Sequence, residues 1–212
     1  MQSNVKHSLL DQIISDHNQA KLFFAEYQKY RERANFEEAN KWYHQWSWEI
    51  ARHSIAEELV VYPALQKKFP KHGIDDNLSE HQEVKENLSK LEKLSIQDRE
   101  FDRIMISTQS SLVEHMLKEE QEQLPEFERV STQEEIQKVL KKFERRKRIV
   151  PTRSHPNAPV NPYLESLVGL LAAPIDKLKD MFSDFPEKED VKNVAKRADQ
   201  PPQVHHVSHS TL

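Results

Sequence analysis

The chain has 212 residues, of which 36% are hydrophobic and 31% charged, and its formal net charge is −4. This length permits one sizeable hydrophobic core, and the weakly negative charge provides no overall basic field to attract nucleic acid. The chain has no cysteine, which excludes disulfides, thiolate chemistry, iron–sulfur clusters and cysteine-based zinc sites. Any bound metal must therefore be held by nitrogen and oxygen.

The sequence predicts neither a secretory signal nor a membrane span. Its first residues have no apolar stretch behind a basic one, which a secretory signal requires. The longest apolar run, residues 167–175, is too short to cross a bilayer. We therefore expect a cytoplasmic protein, with access to the nucleus left open.

Four long helices are predicted in succession. With only 2 glycines, the composition favours long helices over a turn-rich β architecture. Apolar residues recur at helical spacing over residues 8–31, 36–68, 75–94 and 99–124. Ser8 with Asp11 and Asn35 with Glu38 have the spacing of N-terminal helix caps, and the fourth helix is expected to end before Pro125. Short connections favour an antiparallel up-down-up-down four-helix bundle, so the predicted fold class is all-α, with additional C-terminal helices.

Beyond the bundle, which is assigned to residues 8–130, the chain divides into further segments. Thr132 with Glu135 predicts the cap of a fifth helix that ends in a basic run. The predicted segments are a basic helical extension (131–150), a proline-rich linker (151–162), an amphipathic helix (163–185) and a disordered tail (186–212). We expect the amphipathic helix to fold back on the bundle or to bind a dimer mate or another protein. Aspartates on its polar face argue against binding to a membrane surface.

Each predicted bundle helix carries one histidine on its apolar stripe: His17, His53, His81 and His115. Two of these histidines are followed four residues later by a glutamate, which is Glu57 in the second helix and Glu119 in the fourth. Residues four apart lie on the same face of an α-helix. The bundle interior should therefore receive four imidazoles and two carboxylates.

A buried group of this composition predicts a site for two metal ions. Each unpaired buried carboxylate would cost several kcal/mol, and two cations would compensate the charge. Iron, manganese and zinc all accept imidazole together with carboxylate. The alternative reading is that Glu57 and Glu119 lie at the edge of the apolar stripe and pair with surface lysines.

Three segments, HSIAEELVVYPAL, SEHQEVKENLSKLEKL and EHMLKEEQEQLPEF, resemble the hemerythrin-type HHE cation-binding domain over roughly residues 9–128. The segments PTRSHPNAP and LVGLLAAPIDKLKD also resemble the C-terminal extension of fungal and some bacterial members. The resemblance implies a non-haem di-iron centre inside a four-helix bundle. By that pattern the ligands are His17 and His53 for one iron, His81 and His115 for the other, and Glu57 and Glu119 as bridges.

The third helix departs from one version of this pattern. Oxygen-transport hemerythrins have a second histidine on the third helix, four residues from the first. Here the positions four residues before and after His81 are Asn77 and Lys85. Two histidines per iron leave more positions open for water, dioxygen or nitric oxide, which argues against simple reversible oxygen carriage.

The sequence also suggests how the ring of one histidine is held. A metal-bound histidine usually gives its other ring nitrogen a partner, and Glu49, one turn before His53, is a candidate. A plain, partly buried ion pair is the alternative for Glu49. Glu58 and Glu120 are expected to point off the inner face into solvent.

The function predicted from these features is that of a non-haem di-iron protein that binds or senses iron, dioxygen or nitric oxide. One alternative is a di-iron enzyme that turns over peroxide or nitric oxide. Another is a scaffold in which the metal only stabilises the fold and the C-terminal helices recruit a protein partner. The small ligand would bind at the metals in the first two cases.

Overall fold

The computed structural model describes residues 8–70, 74–149 and 184–198. Every regular element within these ranges is helical, which confirms the all-α prediction. In chain order the elements are α1 (Leu9–Glu32), α2 (Phe36–Ala56), a π-helical turn π1 (Glu57–Val61), α3 (Tyr62–Lys68), α4 (Ile74–Leu91), α5 (Arg99–Lys118), a second π-helical turn π2 (Glu119–Gln123), α6 (Leu124–Val130), α7 (Gln133–Ile149) and α8 (Lys188–Ala195).

The predicted helix caps at three N-termini are confirmed. Ser8 and Asp11 form a reciprocal capping box at the start of α1, with the Asp11 amide donating to Ser8 Oγ at 2.9 Å. The Glu38 amide donates to Asn35 Oδ1 at 3.3 Å. At the start of α7 the Thr132 amide donates to the Glu135 carboxylate. The Glu135 amide in turn donates to Thr132 Oγ1. These side chains satisfy amides that have no partner within the helix.

Two of the bundle helices contain a π turn and continue through a proline. The Tyr62 amide donates to the Glu57 carbonyl, five residues back, and the corresponding bond in π2 joins Leu124 to Glu119. A proline ring clashes with the carbonyl four residues before it in an α-helix, and the wider π turn before Pro125 relieves that clash. The prediction that the fourth helix ends before Pro125 is therefore wrong, since the helix continues to Val130.

The order of two apolar layers along the helices establishes the topology. Ile13, on α1, belongs to the layer that also contains Phe127 and Phe143, whereas Ala20, further along α1, belongs to the layer around Trp46. This order reverses from each long helix to the next, so the four helices run up, down, up and down. Buried polar residues separate the two layers at the middle of the bundle.

Two further helices cover the bundle. Helix α7, where the basic extension is predicted, packs against α1 and α2, and its Phe143 is completely buried. Helix α8 places Val194 in the apolar layer around Trp46, so the predicted disorder from residue 186 onward is wrong for Lys188–Ala195. The predicted linker lies outside the described residues, and so does the amphipathic helix except for residues 184 and 185. Within the described ranges, no helix is long and apolar enough to span a membrane.

Candidate metal centre

The structure brings the six predicted site residues together between the two apolar layers. None of them is more than 7% exposed. They are His17 on α1, His53 on α2, Glu57 at the start of π1, His81 on α4, His115 on α5 and Glu119 at the start of π2. The reading that the two glutamates lie at the stripe edge beside surface lysines does not describe this arrangement.

One half of the centre is built by α1 and α2. His17 Nε2 lies 3.0 Å from His53 Nε2. Glu57 Oε1 is 2.9 Å from His53 Nε2, and Glu119 Oε2 is 3.5 Å from His17 Nε2. Four donor atoms of these residues all lie within 4.8 Å of one another, which is a spacing that one metal ion can span.

The other half is built by α4 and α5 in the same way. His81 Nε2 lies 3.1 Å from His115 Nε2. Here Glu57 presents its second oxygen, Oε2, 3.6 Å from His81 Nε2, and Glu119 presents Oε1 3.4 Å from His115 Nε2. Each carboxylate therefore faces both histidine pairs with one oxygen apiece, which is the arrangement of a bridging ligand.

A carboxylate from another helix holds the outer nitrogen of each imidazole. Glu120 Oε1 lies 2.8 Å from His17 Nδ1, and Asp16 Oδ2 lies 3.2 Å from His53 Nδ1. Because an ionised carboxylate only accepts hydrogen bonds, both Nδ1 atoms carry a proton. The Nε2 atoms face the interior and are the ring nitrogens that could bind a metal ion.

The second histidine pair has the same support. Glu58 Oε1 lies 3.0 Å from His81 Nδ1, and Glu80 Oε2 lies 2.6 Å from His115 Nδ1. A lysine in turn contacts each of the four outer carboxylates: Lys21 contacts Glu120, Lys85 contacts Glu58, Lys118 contacts Glu80 and Lys147 contacts Asp16. Carboxylates of this kind fix the orientation of metal-binding histidines and make them more basic.

These outer contacts correct two predictions made from the sequence. Glu49 does not hold His53, because it pairs with Arg52 and accepts a hydrogen bond from Gln45 at 3.2 Å. Glu58 and Glu120 are not solvated, since their side chains are only 6% and 15% exposed and each binds a histidine. The helical pattern predicts an outward direction for both, because each lies about 100° around the helix from the preceding glutamate.

Two outer carboxylates were missed altogether. Asp16 directly precedes His17, and Glu80 directly precedes His81. Each binds the histidine of the neighbouring helix and not the one beside it in sequence. The signal available in the sequence was an acidic residue immediately before the histidine on the first and third helices, and a doubled glutamate after the histidine on the second and fourth.

The surrounding carboxylates raise the pKa of one histidine in each pair. Burial lowers the pKa of His53, but Glu57 and Asp16 outweigh it and raise the pKa to about 10. Burial likewise opposes protonation of His115, whose pKa Glu119 and Glu57 raise to about 9. Burial raises the pKa of Glu119, yet the neighbouring imidazoles hold it well below its usual value.

Three of the four carboxylate oxygens of Glu57 and Glu119 have no hydrogen-bond donor among the described residues, which fits a metal site. Both oxygens of Glu57 and Oε2 of Glu119 are buried and receive no hydrogen bond from the described residues. The 2.9 Å contact of Glu57 with His53 is close but is not aligned as a hydrogen bond. A buried carboxylate oxygen without a hydrogen-bond donor destabilises the fold. Since these oxygens face four imidazole nitrogens, the arrangement supports a cation site.

The structure adds a tyrosine that the sequence did not single out. Tyr62, at the start of α3, is 2% exposed and donates its hydroxyl to Glu119 Oε1 at 2.9 Å. Its Oη also lies 3.0 Å from His81 Nε2 and 3.3 Å from His115 Nε2. Burial raises the pKa of Tyr62 well above its ordinary value, and the negative charges of Glu119 and Glu57 raise it further.

Comparison with known proteins agrees with this architecture. Residues 8–127 match the hemerythrin family, described as the hemerythrin HHE cation binding domain. An uncharacterized hemerythrin-like protein of Schizosaccharomyces pombe is 38% identical over 179 residues, which cover 83% of this chain and 87% of that protein. No solved structure gives a significant match. The chain therefore belongs to the hemerythrin-like family of HHE cation-binding proteins.

Proposed function

We propose that the six central side chains hold two iron ions and that the protein binds or senses dioxygen or nitric oxide at them. Membership of a cation-binding family supports a metal role. A donor set of imidazole and carboxylate without sulfur suits iron, with manganese and zinc as the other candidates. The proposed ions lie between His17 and His53 and between His81 and His115.

The observation that carries this proposal is the way the imidazoles face each other. All four Nδ1 atoms contact carboxylates, and the Nε2 atoms face inward. The two Nε2 atoms are 3.0 Å apart in the pair on α1 and α2 and 3.1 Å apart in the pair on α4 and α5. Two neutral ring nitrogens repel each other at this distance unless a proton or a cation lies between them. With a metal ion, two imidazoles and one oxygen from each of Glu57 and Glu119 would surround each position.

The arrangement would leave coordination positions open for a small ligand. Four protein donors occupy four of the six positions of an octahedral ion, and a bound iron pair would supply the redox and ligand-binding chemistry at the rest. The chain itself keeps the donors in register through the outer carboxylates and keeps bulk water out through the two apolar layers. A dry, preorganised site of this kind favours a small uncharged ligand such as dioxygen or nitric oxide.

The proposal is tested with protein reduced and loaded with iron under anaerobic conditions. Addition of nitric oxide or dioxygen should change the optical spectrum in proportion to the amount of protein and stop there. Zinc-loaded protein is the matched control, because it has the same ligands without redox chemistry, and it should not respond. Iron-loaded protein that shows no spectral response would contradict the sensing role. Sustained consumption of peroxide or nitric oxide would replace that role with the enzymatic one.

A further inference from the structure

The two halves of the bundle repeat one sequence pattern but differ at a single position inside the site. The pattern H-x3-E-E-x4-P occurs at residues 53–63 and again at 115–125. Nine residues after the histidine, the first copy has Tyr62 and the second has Leu124. Both residues follow the π turn of their helix, so a phenol occupies one half where the other half has only an aliphatic side chain.

The π turn explains why Tyr62 reaches the centre. Successive residues of an α-helix turn by about 100°, so nine residues of uninterrupted helix would place Tyr62 roughly opposite His53. The bond from the Tyr62 amide to the Glu57 carbonyl accommodates one additional residue in that turn and rotates the side chain back toward the interior. Such π turns are rare in helices and frequent at functional sites.

The Tyr62 oxygen lies where a metal ligand would lie. Neighbouring donors of an octahedral ion with bonds of about 2.1 Å are about 3.0 Å apart. Tyr62 Oη is 2.9 Å from Glu119 Oε1, 3.0 Å from His81 Nε2 and 3.3 Å from His115 Nε2. These distances match the 3.1 Å between the two imidazole nitrogens themselves.

We infer that Tyr62 is a further ligand of the ion held by His81 and His115, bound through its phenolate oxygen. This inference rests on the proposed metal centre. On metal uptake the O–H bond of Tyr62 breaks, a metal–oxygen bond forms and the proton leaves to solvent, with no change in oxidation state. The ion between His17 and His53 has no such ligand, because Leu124 occupies the equivalent position. The two ions are therefore chemically different, and the open positions lie mainly on the His17 side.

The hydrogen bond of the Tyr62 hydroxyl is consistent with this role. The Tyr62 hydroxyl donates a hydrogen bond to Glu119 Oε1, as expected of a phenol beside negatively charged carboxylates. A bound cation reverses the sign of the local field and favours the deprotonated form of a nearby acid. Glu119 then directs its Oε1 to the ion in place of accepting that hydrogen bond.

The test uses resonance Raman and visible absorption of the ferric-loaded full-length protein. Excitation into a phenolate-to-iron band should enhance tyrosine ring vibrations, and these should shift when the protein is grown with ring-deuterated tyrosine. Tyr62→Phe should lose both the band and the vibrations while retaining two irons per chain. Tyr43→Phe is the matched control, because Tyr43 is equally buried in the apolar layer around Trp46, and it should keep them.

Each outcome separates this inference from the proposed metal centre. Ferric-loaded wild-type protein without any tyrosine ring vibrations would overturn the inference, even if Tyr62→Phe did not fold. A Tyr62→Phe protein with two irons and an undiminished phenolate band would overturn it as well. Wild-type protein that takes up no iron would instead contradict the proposed function, on which the inference depends.

Discussion

At the scale of single residues, adjacent glutamates in one helix have different tasks. Glu57 directs both oxygens to imidazole Nε2 atoms and receives no hydrogen bond from the described residues. Glu58, the next residue, accepts from His81 Nδ1 at 3.0 Å and from Lys85. Successive residues of a helix point about 100° apart. The side chain of Glu57 therefore points into the centre, and that of Glu58 points toward the neighbouring helix α4. Substitutions should therefore distinguish a ligand from a residue that orients one.

Loss of a bridging carboxylate should lower the metal content. Glu57→Gln and Glu119→Gln remove the negative charge and one of the two equivalent oxygens that face the histidine pairs, so each variant should bind fewer than two ions per chain. Elemental analysis of protein purified without chelator measures this. Glu49→Gln, which disturbs only an ion pair with Arg52 and a contact with Gln45, should leave the stoichiometry unchanged. Full iron content in both bridge variants would refute the bridging assignment.

Loss of an outer carboxylate should weaken metal binding without abolishing it. Asp16→Asn removes the charge that holds His53 through Nδ1, and changes of this kind typically reduce metal affinity by about 10–100-fold. Competition with a chromophoric chelator would measure the affinity. Asp76→Asn, at an exposed position in the first turn of α4, is the control. Equal affinities for the two variants would show that Asp16 does not support the site.

At the scale of elements, α7 closes one side of the bundle over the His17 and His53 pair. The ring of Phe143 packs edge-on against His53, with centroids 5.6 Å apart, and Lys147 pairs with Asp16. At the His81 and His115 pair, the corresponding lysine is Lys118, which belongs to the bundle helix α5 and pairs with Glu80. The basic helix is thus part of the support of the site and is more than a solvated extension.

Removal of the Phe143 side chain should destabilise the protein markedly. Phe143→Ala leaves a cavity in the layer that α7 completes, and such changes typically lower the free energy of unfolding by about 3–5 kcal/mol. Chemical denaturation followed by circular dichroism measures the change. Ile106→Ala, at a side chain that is 54% exposed, should change it by less than about 0.5 kcal/mol. Similar stabilities for both variants would mean that α7 does not close the core.

The helical pattern predicted the central residues but not their surroundings. The four histidines could be placed because each falls on the apolar stripe of its own helix. Asp16 and Glu80 could not, since a residue beside a histidine points about 100° away and a single sequence does not say which neighbouring helix it meets. Tyr62 could not be predicted, because a regular helix would place it on the face away from the bundle interior. The π turn ahead of Pro63 brings it inward.

At the scale of the whole molecule, stability should depend on pH through the histidine pairs. The neighbouring carboxylates raise the pKa values of His53 and His115 to about 10 and about 9, above the ordinary 6.5. The stabilisation from the extra protons is therefore complete below about pH 6.5 and is lost as the pH rises through 9 to 10. Metal-free protein should accordingly melt at lower temperature at pH 10 than at pH 6.5.

Metal-loaded protein is the control for this dependence. The ions would replace the protons on His53 and His115, so the melting temperature should not fall through the same pH range because of these groups. Loading should also release protons, as metal binding to protonated ligands generally does. A metal-free melting temperature that stays constant from pH 6.5 to 10 would contradict the assigned protonation of the histidine pairs.

The number of metal ions in the intact protein tests whether the six side chains hold an iron pair. The protein should be produced in iron-supplemented medium, purified without chelator and analysed by inductively coupled plasma mass spectrometry together with its concentration. Two iron ions per chain in the wild type, with a clear reduction in a His81→Ala, His115→Ala double variant that still folds, is the result predicted here. A folded wild-type protein that contains no metal and takes none up on reconstitution would contradict the account.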